Sequence, residues 1–222
     1  MLKLLGAAAL QDIVGILKDG EKFFTLTSDS REAHLNSHLK HYPVSFKEYM
    51  KRVSPEDFLE DIGAAIQVIT GLGRASENLF LEALIQYIAV DLGEVLDRLD
   101  SAFFFLDFSN RMNTLENLIK GDSILASAAR EYFIERTYQE ITQEAGRSIG
   151  MIKHVPVIVI QSPVELSSDR RREIREAFLE RHPFSFPEFQ VNPQIIGGLR
   201  LFVDGDVEDH SWLARIQKIT SL

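Results

Sequence analysis

The sequence predicts an α+β protein in which an all-helical bundle of five to six helices is followed by a small C-terminal α/β domain. Three observations indicate this fold class. Apolar residues recur at helical spacing through the first half of the chain. The run Val155–Ile160 is β-branched and almost wholly apolar, which is typical of a strand. The final residues then give strand, turn, strand and helix signals in succession. We therefore expect a helical bundle domain in residues 1–122, and a linking helix plus the α/β domain in residues 123–222.

Periodicity and stop signals predict the first four helices. Three of them precede residue 54 and cover residues 2–19, Arg31–Tyr42 and Phe46–Val53. Ser30 and Ser45 are the expected N-caps of the second and third. Ser54 and Pro55 mark the fourth start, because serine caps a helix well and proline suits its first turn. That helix is expected to end at Gly71.

Two longer helices complete the predicted helical part. One is expected to begin at Ser76 and to continue past Gly93 as far as Leu99. The other is expected from Ser123 to Ala145. Between them lies Phe103–Leu106, the most apolar patch of the chain, which we expect either in the core or in a contact surface.

The α/β domain is expected to begin with Val155–Ile160, a strand buried on both faces. Ser167 or Ser168 would cap the following helix, Asp169–Glu180. Glu188–Val191 is expected to be a short edge strand. The expected inner face of the helix consists of Ile174, Ala177 and Phe178.

The last part of the chain predicts a hairpin and a capped helix. Gly197 and Gly198 precede an apolar strand, Leu199–Val203. Asp204-Gly205 is a dipeptide typical of a type I′ turn, which needs positive φ at both central residues. A return strand, Asp206–Glu208, should follow. Ser211 is then the expected N-cap of a helix whose apolar face carries Trp212, Ile216 and Ile219.

Composition narrows the possible functions. Of 222 residues, 45% are hydrophobic and 26% charged, as in an ordinary globular protein, and no apolar run is long enough to span a bilayer. Gln11 and Asp12 interrupt the apolar start of the chain, which favours an amphipathic helix over a removable signal. The absence of cysteine excludes disulfides, thiolate metal sites and a cysteine nucleophile. A net charge of −9 argues against a nucleic-acid partner.

Three histidines form the strongest candidate metal site. His34, His38 and His41 lie at positions i, i+4 and i+7, so they would share one face of a helix. Histidines one turn apart can bind zinc or nickel, and Glu32 or Glu48 could complete the ligands. We favour a polar helix face without a metal, because no H-E-x-x-H motif or second ligand cluster supports a site.

Other short motifs have structural explanations. Thr70–Ser76 resembles a dinucleotide-binding glycine run, but helical periodicity on both sides predicts a helix–turn–helix. Arg170–Arg172 could bind a phosphate or an acidic helix, although neighbouring glutamates favour a solvated face. A group of acidic residues near the end of the chain could suggest a calcium site, namely Asp204, Asp206, Glu208 and Asp209. Turn formation and helix capping explain these residues without a metal.

A characteristic run ends the chain. Its residues are an Ile-Gly-Gly segment, a Gly-Asp turn, an Asp-x-Ser pair and an arginine four residues later, which here are Ile196, Gly197, Gly198, Gly205, Asp206, Asp209, Ser211 and Arg215. In order, spacing and position this run resembles the C-terminus of the F-type ATP synthase delta subunit, whose mitochondrial counterpart is the oligomycin-sensitivity-conferring protein. The resemblance extends back through Asn192-Pro193 and the Ser-Pro-x-Glu-Leu-Ser run at 162–167 to a linking helix with Tyr138 and Glu144.

This resemblance implies a peripheral-stalk, or stator, subunit without catalytic activity or cofactor. The helical domain would grip the alpha subunits of the catalytic head, and the C-terminal domain would bind the b-type stalk helices. The complex would place the chain beside a membrane, on the cytoplasmic face in a bacterium or on the inner side of a mitochondrion or plastid. We expect the contact surfaces on the bundle and around Phe184, Phe186 and Phe189.

Two other interpretations stay open. Stators of flagellar or type III secretion ATPases, and vacuolar-type stalk subunits, share the Gly-Gly strand and terminal helix. They usually carry a long charged coiled coil, whereas glycine and proline interrupt residues 1–120 here. The alternative of a different class is an enzyme or binding protein that uses the histidine cluster as a metal site.

Overall fold

A computed structural model describes residues 1–19, 22–73 and 78–220. Within these ranges the chain is mainly helical and has a small mixed sheet near its C-terminus, which confirms the predicted fold class. The helices are α1 Leu2–Asp19, α2 Ser28–His38, α3 Val44–Arg52, α4 Pro55–Thr70, α5 Leu79–Gln86, α6 Gly93–Arg98, α7 Phe108–Leu118, α8 Ile124–Ile134, α9 Tyr138–Gly150, α10 Ser168–Arg181 and α11 Trp212–Thr220. The strands are β1 Ile158–Ser162, β2 Glu188–Val191, β3 Arg200–Val203 and β4 Asp206–Asp209.

Irregular helical turns connect some of these elements. A π-helical segment, Tyr87–Leu92, joins α5 to α6 and makes them one continuous helical stretch. Short 3₁₀ turns occupy Phe23–Thr25 and Ser101–Phe105. Helix α1 packs against α4, α5 and α8. Helices α1 to α9 share one apolar core, whose largest fully buried side chains include Phe23, Phe46, Phe80, Tyr132 and Phe133. The predicted boundary at residue 122 stays a prediction.

The sequence located α4 correctly. The Ser54 hydroxyl accepts a hydrogen bond from the Asp57 amide at 3.1 Å, and Pro55 is the first helical residue. Gly71 ends the helix with φ of +77°, a left-handed conformation that suits glycine. Local capping chemistry therefore fixed both ends of this helix.

Other helix boundaries were wrong. Helix α2 begins earlier than expected, with Thr27 as its N-cap, and ends at His38. Helix α3 follows Pro43, and Ser45 lies buried inside it. Asn78 caps α5, and the predicted start at Ser76 lies outside the described residues. Helix α7 had not been predicted.

The predicted helix Ser123–Ala145 is in fact two helices, α8 and α9. The chain leaves the helical conformation between Ile134 and Tyr138. Thr137 starts a new helix by a capping box, because its hydroxyl accepts from the Glu140 amide while the Glu140 carboxylate accepts from the Thr137 amide at 2.8 Å. Reciprocal capping satisfies the exposed amides at this break.

The sheet has the strand order β2-β1-β3-β4. Strand β1 is parallel to β2 and antiparallel to β3, and β3 and β4 form a hairpin. Asp204 and Gly205 at its tip have φ of 52° and 93°, which confirms the predicted turn with positive φ at both residues. Strand β1 begins three residues later and ends two residues later than the predicted Val155–Ile160. It alternates between buried and half-buried residues, so the expectation of burial on both faces was wrong.

Candidate partner-binding surfaces

The glycine pair of the C-terminal motif allows a close backbone crossing. Gly197 and Gly198 both have positive φ, at 64° and 77°. A Cβ atom on Gly197 would lie 2.9 Å from Cδ1 of Trp212, and one on Gly198 would overlap the carbonyl oxygen of His210. The Trp212 amide donates to the Ile196 carbonyl at 3.1 Å. The left-handed backbone favours glycine at both positions, and at Gly198 the neighbouring backbone also leaves no room for a side chain.

The polar residues of the motif hold the start of α11. Asp209 accepts hydrogen bonds from the Ser211 amide and from Arg200, both at 2.9 Å. Hydrogen bonds from Ser211 and Arg200 lower the pKa of Asp209 to about 2, so it is ionised at neutral pH. The Ser211 hydroxyl accepts from the Ala214 amide at 3.3 Å, which confirms the predicted N-cap. Arg215 lies exposed on α11, and Asp206 pairs with Val203 beside the turn at Gly205.

The terminal helix leaves apolar side chains in solvent. Trp212 is 64% exposed and Leu213 44% exposed, and the adjacent Ile196 is also exposed. We call these three residues the terminal surface. Ile216 on the predicted apolar face is exposed as well, and the side chain of Ile219 lies outside the described part of the chain. The face predicted by the spacing thus carries exposed apolar side chains at Trp212 and Ile216.

Two neighbouring helices of the bundle, α1 and α4, also carry exposed apolar side chains. These helices approach closely at Gly6, where a Cβ atom would lie 2.6 Å from Cδ1 of Ile69. Exposed apolar side chains on the two helices are Leu4, Val14, Leu59 and Ile66, which we call the bundle surface. Such exposed apolar groups on adjacent helices can contact a partner helix.

The phenylalanines expected to form a contact surface lie instead in an internal joint. Phe186 is buried, and Phe184 and Phe189 are half-buried. The guanidinium of Arg175 lies 4.7 Å from the ring centroid of Phe186 and 5.8 Å from that of Phe189. Burial of Phe186 against Arg175 contradicts the expected exposure of that ring, whereas Phe184 and Phe189 stay partly accessible and their expected contact role stays a prediction.

An ion pair between Arg175 and Asp97 forms the centre of this joint. Nε and Nη2 of Arg175 donate to the two carboxylate oxygens of Asp97 at 2.6 and 2.9 Å, and both side chains are buried. Gly93 makes room for the arginine, since a Cβ atom there would lie 3.1 Å from its Cδ. The pair therefore ties α10 of the α/β domain to α6 of the bundle.

Three further contacts reinforce the joint. Arg171 donates to the Leu99 carbonyl at 2.9 Å, and the Glu165 carboxylate accepts from the amide and hydroxyl of Ser101 at 2.9 and 2.7 Å. The Tyr138 hydroxyl accepts from the Phe189 amide at 3.1 Å. Burial raises the pKa of Tyr138 to about 12, so the hydroxyl stays protonated. These contacts fix the α/β domain to the bundle at several points.

The inner face of α10 differs from the prediction. Arg171 and Arg175 are its buried residues, whereas Ala177 is exposed. Ser167 is the N-cap, as one of the two predicted alternatives. The solvated face expected for the arginine run holds for Arg170 and Arg172 but is wrong for Arg171.

The apolar patch after α6 is divided between core and surface. Phe103 is buried and Phe104 half-buried, whereas Phe105 is 88% exposed. One short 3₁₀ turn therefore holds both a core residue and an exposed one, and the contact role of the exposed ring stays a prediction. Phe105 points to an additional contact region beside the joint.

The histidine candidates do not share a helix face. His34 and His38 lie on α2 with ring centroids 4.2 Å apart, but His41 follows the end of that helix. Nδ1 of His38 lies 3.0 Å from the His34 carbonyl oxygen. Among the described residues, no group of three or more histidines and carboxylates could hold a metal ion.

The other sequence motifs lie in turns. Gly71 and Gly73 follow helix α4 rather than a strand, as the helix–turn–helix interpretation predicted, and residues 74–77 lie outside the described chain. The acidic group in the last hairpin surrounds its turn, and Asp209 is paired with Arg200. This pairing agrees with the capping explanation.

A carboxylate with an altered pKa lies in the π-helical segment. Asp91 borders a cleft of about 210 Å³ between this segment and the chain around His41 and Lys120. Burial raises the pKa of Asp91 to about 6. π-Helical turns are frequent at functional sites, but here the altered pKa has a sufficient cause in burial.

Comparison with known proteins leaves the family resemblance as a prediction. No protein-family model matches the chain, and no curated protein gives a significant match. Over the described ranges, none of the helices combines the length and the apolar character needed to cross a bilayer.

Proposed function

We propose that the chain is a peripheral-stalk subunit of a rotary F-type ATP synthase. It joins the catalytic head to the stalk helices and keeps the head from turning with the rotor. The observation that carries this proposal is the local geometry of the C-terminal motif. Its two glycines and its Asp-x-Ser pair each have a specific structural need, which places α11 against the loop before β3. If these motif residues had no structural role, their match to the family run would support the resemblance less strongly.

A stator must transmit force without bending at the connection between its parts. The bidentate pair of Arg175 and Asp97 is buried and directional, which restricts sliding and rotation of α10 on α6. The contacts of Glu165 with Ser101 and of Tyr138 with Phe189 restrain the same connection from other directions. A stiff two-part molecule is suited to this mechanical role.

The two apolar surfaces are assigned to two partners. The bundle surface would bind the helical N-terminal segments of the head alpha subunits, and the terminal surface would bind the end of a b-type stalk helix. Both would use an amphipathic helix laid against apolar side chains. Residues 1–150 carry 15 basic and 23 acidic residues, a net charge of −8, which favours a head segment with basic residues.

The helix lengths favour this type of stator over the flagellar or vacuolar type. Within the described part of residues 1–120, the longest regular α-helix is α1, with 18 residues, and the continuous stretch of α5, the π-helical segment and α6 runs only from Leu79 to Arg98. A long coiled coil would need apolar heptads over several consecutive heptads. The chain would be attached to its membrane only through the complex, on the cytoplasmic face in a bacterium or the inner side of the organelle.

Affinity capture from native membranes tests this assignment. The tagged full chain is incubated with solubilised membranes of its source, and captured subunits are identified by mass spectrometry. The unchanged chain should recover both head and stalk subunits. Ile66→Glu should lose the head while keeping the stalk, and Leu213→Glu should have the opposite effect. Val157→Glu, an exposed apolar control outside both surfaces, should keep both. Recovery of neither head nor stalk subunits by the unchanged chain would overturn the proposal.

A further inference from the structure

A groove of about 710 Å³ lies beside the joint between the bundle and the α/β domain. Its walls are the 3₁₀ turn Ser101–Phe105, the start of α9, and the edge strand β2. Apolar lining side chains include Phe104, Phe105, Leu166 and Val191. This volume falls in the range of ordinary ligand sites, about 300–1,000 Å³. The groove is separate from both the bundle surface and the terminal surface.

A buried arginine without an ionic partner lines this groove. Arg171 is 5% exposed, and Nη2 donates to the Leu99 carbonyl at 2.9 Å. Its Nε is buried without an acceptor, and the side chain forms no ion pair with any carboxylate that the structure describes. Arg175, one turn further along α10, is by contrast paired with Asp97. A buried cation without a counter-charge is costly, so Arg171 favours an anion from outside.

The carboxylates on the groove wall do not supply this anion. Both oxygens of Glu165 accept hydrogen bonds from Ser101. Asp100 caps the 3₁₀ turn by accepting from the Phe103 amide at 2.9 Å. These acids are therefore engaged by local donors. Neither acid forms an ion pair with Arg171, which is the one cation among the described residues that line the groove, so the guanidinium itself is the place where a ligand carboxylate would be stabilised.

The edge of β2 identifies the backbone of that ligand. Among the described strands, β2 lies at one edge of the sheet and pairs only with β1. The Phe189 amide points away from β1, because it donates to the Tyr138 hydroxyl. Since the backbone groups of a strand alternate in direction, the amide and carbonyl of Val191 point to the same outer edge. An extended peptide could add there as a further strand.

We propose that this groove binds an extended peptide segment that carries an Asp or Glu side chain. The segment pairs with the outer edge of β2 at Val191. Its carboxylate contacts the guanidinium of Arg171, and its apolar side chains pack on Phe104 and Phe105. The site is a third interface, and it does not depend on the stalk role.

Peptide display on the full chain tests the proposal. A library of random linear peptides is selected on the unchanged protein, and enriched peptides are synthesised for affinity measurement. We expect sequences with an acidic residue among apolar ones. Arg171→Met should weaken the binding of these peptides by about ten- to a hundredfold, since a charge-assisted contact is lost. Replacing a buried unpaired charge by an apolar side chain of similar length should not unfold the chain.

Matched variants and ligands separate the elements of the proposal. Phe105→Ser should also weaken binding, whereas Arg170→Met, a change of the exposed arginine next to Arg171, should leave it unchanged. N-methylation of the peptide backbone should abolish strand pairing and weaken binding. No enrichment of peptides, or equal binding to Arg171→Met, would overturn the proposal. Equally tight binding of octanoate, or no effect of N-methylation, would assign the groove to a small amphipathic acid and overturn the peptide assignment.

Discussion

The guanidinium of Arg175 and the carboxylate of Asp97 form a buried bidentate ion pair, with distances of 2.6 and 2.9 Å. The two residues are 78 positions apart in the sequence, on α10 and α6. The pair therefore makes the attachment of the α/β domain to the bundle specific. Both charges are buried, so each would lack a partner and water if the other were removed.

Removing one member of this pair should be strongly destabilising. Arg175→Ala leaves the Asp97 carboxylate buried and unpaired, so we expect the free energy of unfolding to fall by about 3–5 kcal/mol. Urea denaturation followed by circular dichroism measures this change. Arg170→Ala, on the exposed side of the same helix, should change it by less than about 1 kcal/mol. A loss below about 1 kcal/mol for Arg175→Ala would show that the pair does not hold the joint.

The glycine pair of the motif should not tolerate alanine. Gly198→Ala would place a Cβ atom against the His210 carbonyl at a φ of +77°, so we expect a loss of at least about 2 kcal/mol in the free energy of unfolding. Gly146→Ala is the matched control, because Gly146 lies in α9 with open space around it. That change should raise the free energy of unfolding by about 0.5–1 kcal/mol. Equal effects of the two changes in urea denaturation would contradict the close crossing before α11.

Asp91 should make stability depend on pH. Burial raises its pKa to about 6 in the folded chain, above the ordinary value of 3.8. The folded state therefore binds this proton more tightly, and the resulting stability is complete below about pH 4 and is lost as the pH rises through about 6. Asp91→Asn cannot ionise there, so at neutral pH it should raise the free energy of unfolding by on the order of 1–3 kcal/mol.

Denaturation at several pH values checks this prediction. The gain from Asp91→Asn should be largest at about pH 7–8 and should shrink towards about pH 4, because the native aspartic acid is then neutral in both states. Glu94→Gln changes a more exposed carboxylate one turn away on α6, and it should change the free energy of unfolding less than Asp91→Asn does. A gain that does not vary with pH would mean that Asp91 is not the buried titrating group.

The histidines should not form a metal site in the isolated chain. Helix α2 ends before His41, and the rings of His34 and His38 lie 4.2 Å apart. We expect no stoichiometric Zn²⁺ or Ni²⁺ after equilibration and gel filtration, measured by elemental analysis. One bound ion per chain that is removed by His38→Ala would instead support the metal-binding alternative.

Local signals predicted much of the fold. Ser54, Pro55 and Gly71 located α4, and Asp204-Gly205 located the hairpin, because caps and tight turns depend on residues close in sequence. The division between α8 and α9 also had a local signal. Thr137 and Glu140 form a capping box that the apolar periodicity across the break obscured.

The joint and the groove could not be predicted in the same way. Periodicity assigns arginine to a solvated face, whereas Arg171 and Arg175 are buried by contacts with Leu99 and Asp97 in a distant part of the chain. No spacing rule indicates such partners. The apolar spacing on α11 was visible in the sequence, but such spacing alone does not distinguish a helix face in the core from one exposed for contact.

ATP-driven proton pumping tests the stalk role most directly. Membrane vesicles of the source organism, with the head facing outward, are depleted of this chain and then supplied with the purified protein. We predict that depletion abolishes pumping while head ATP hydrolysis persists, and that the unchanged chain restores pumping. Gly198→Ala should restore it poorly, whereas Gly146→Ala should restore it fully. Depleted vesicles that pump as well as complete ones would contradict the account.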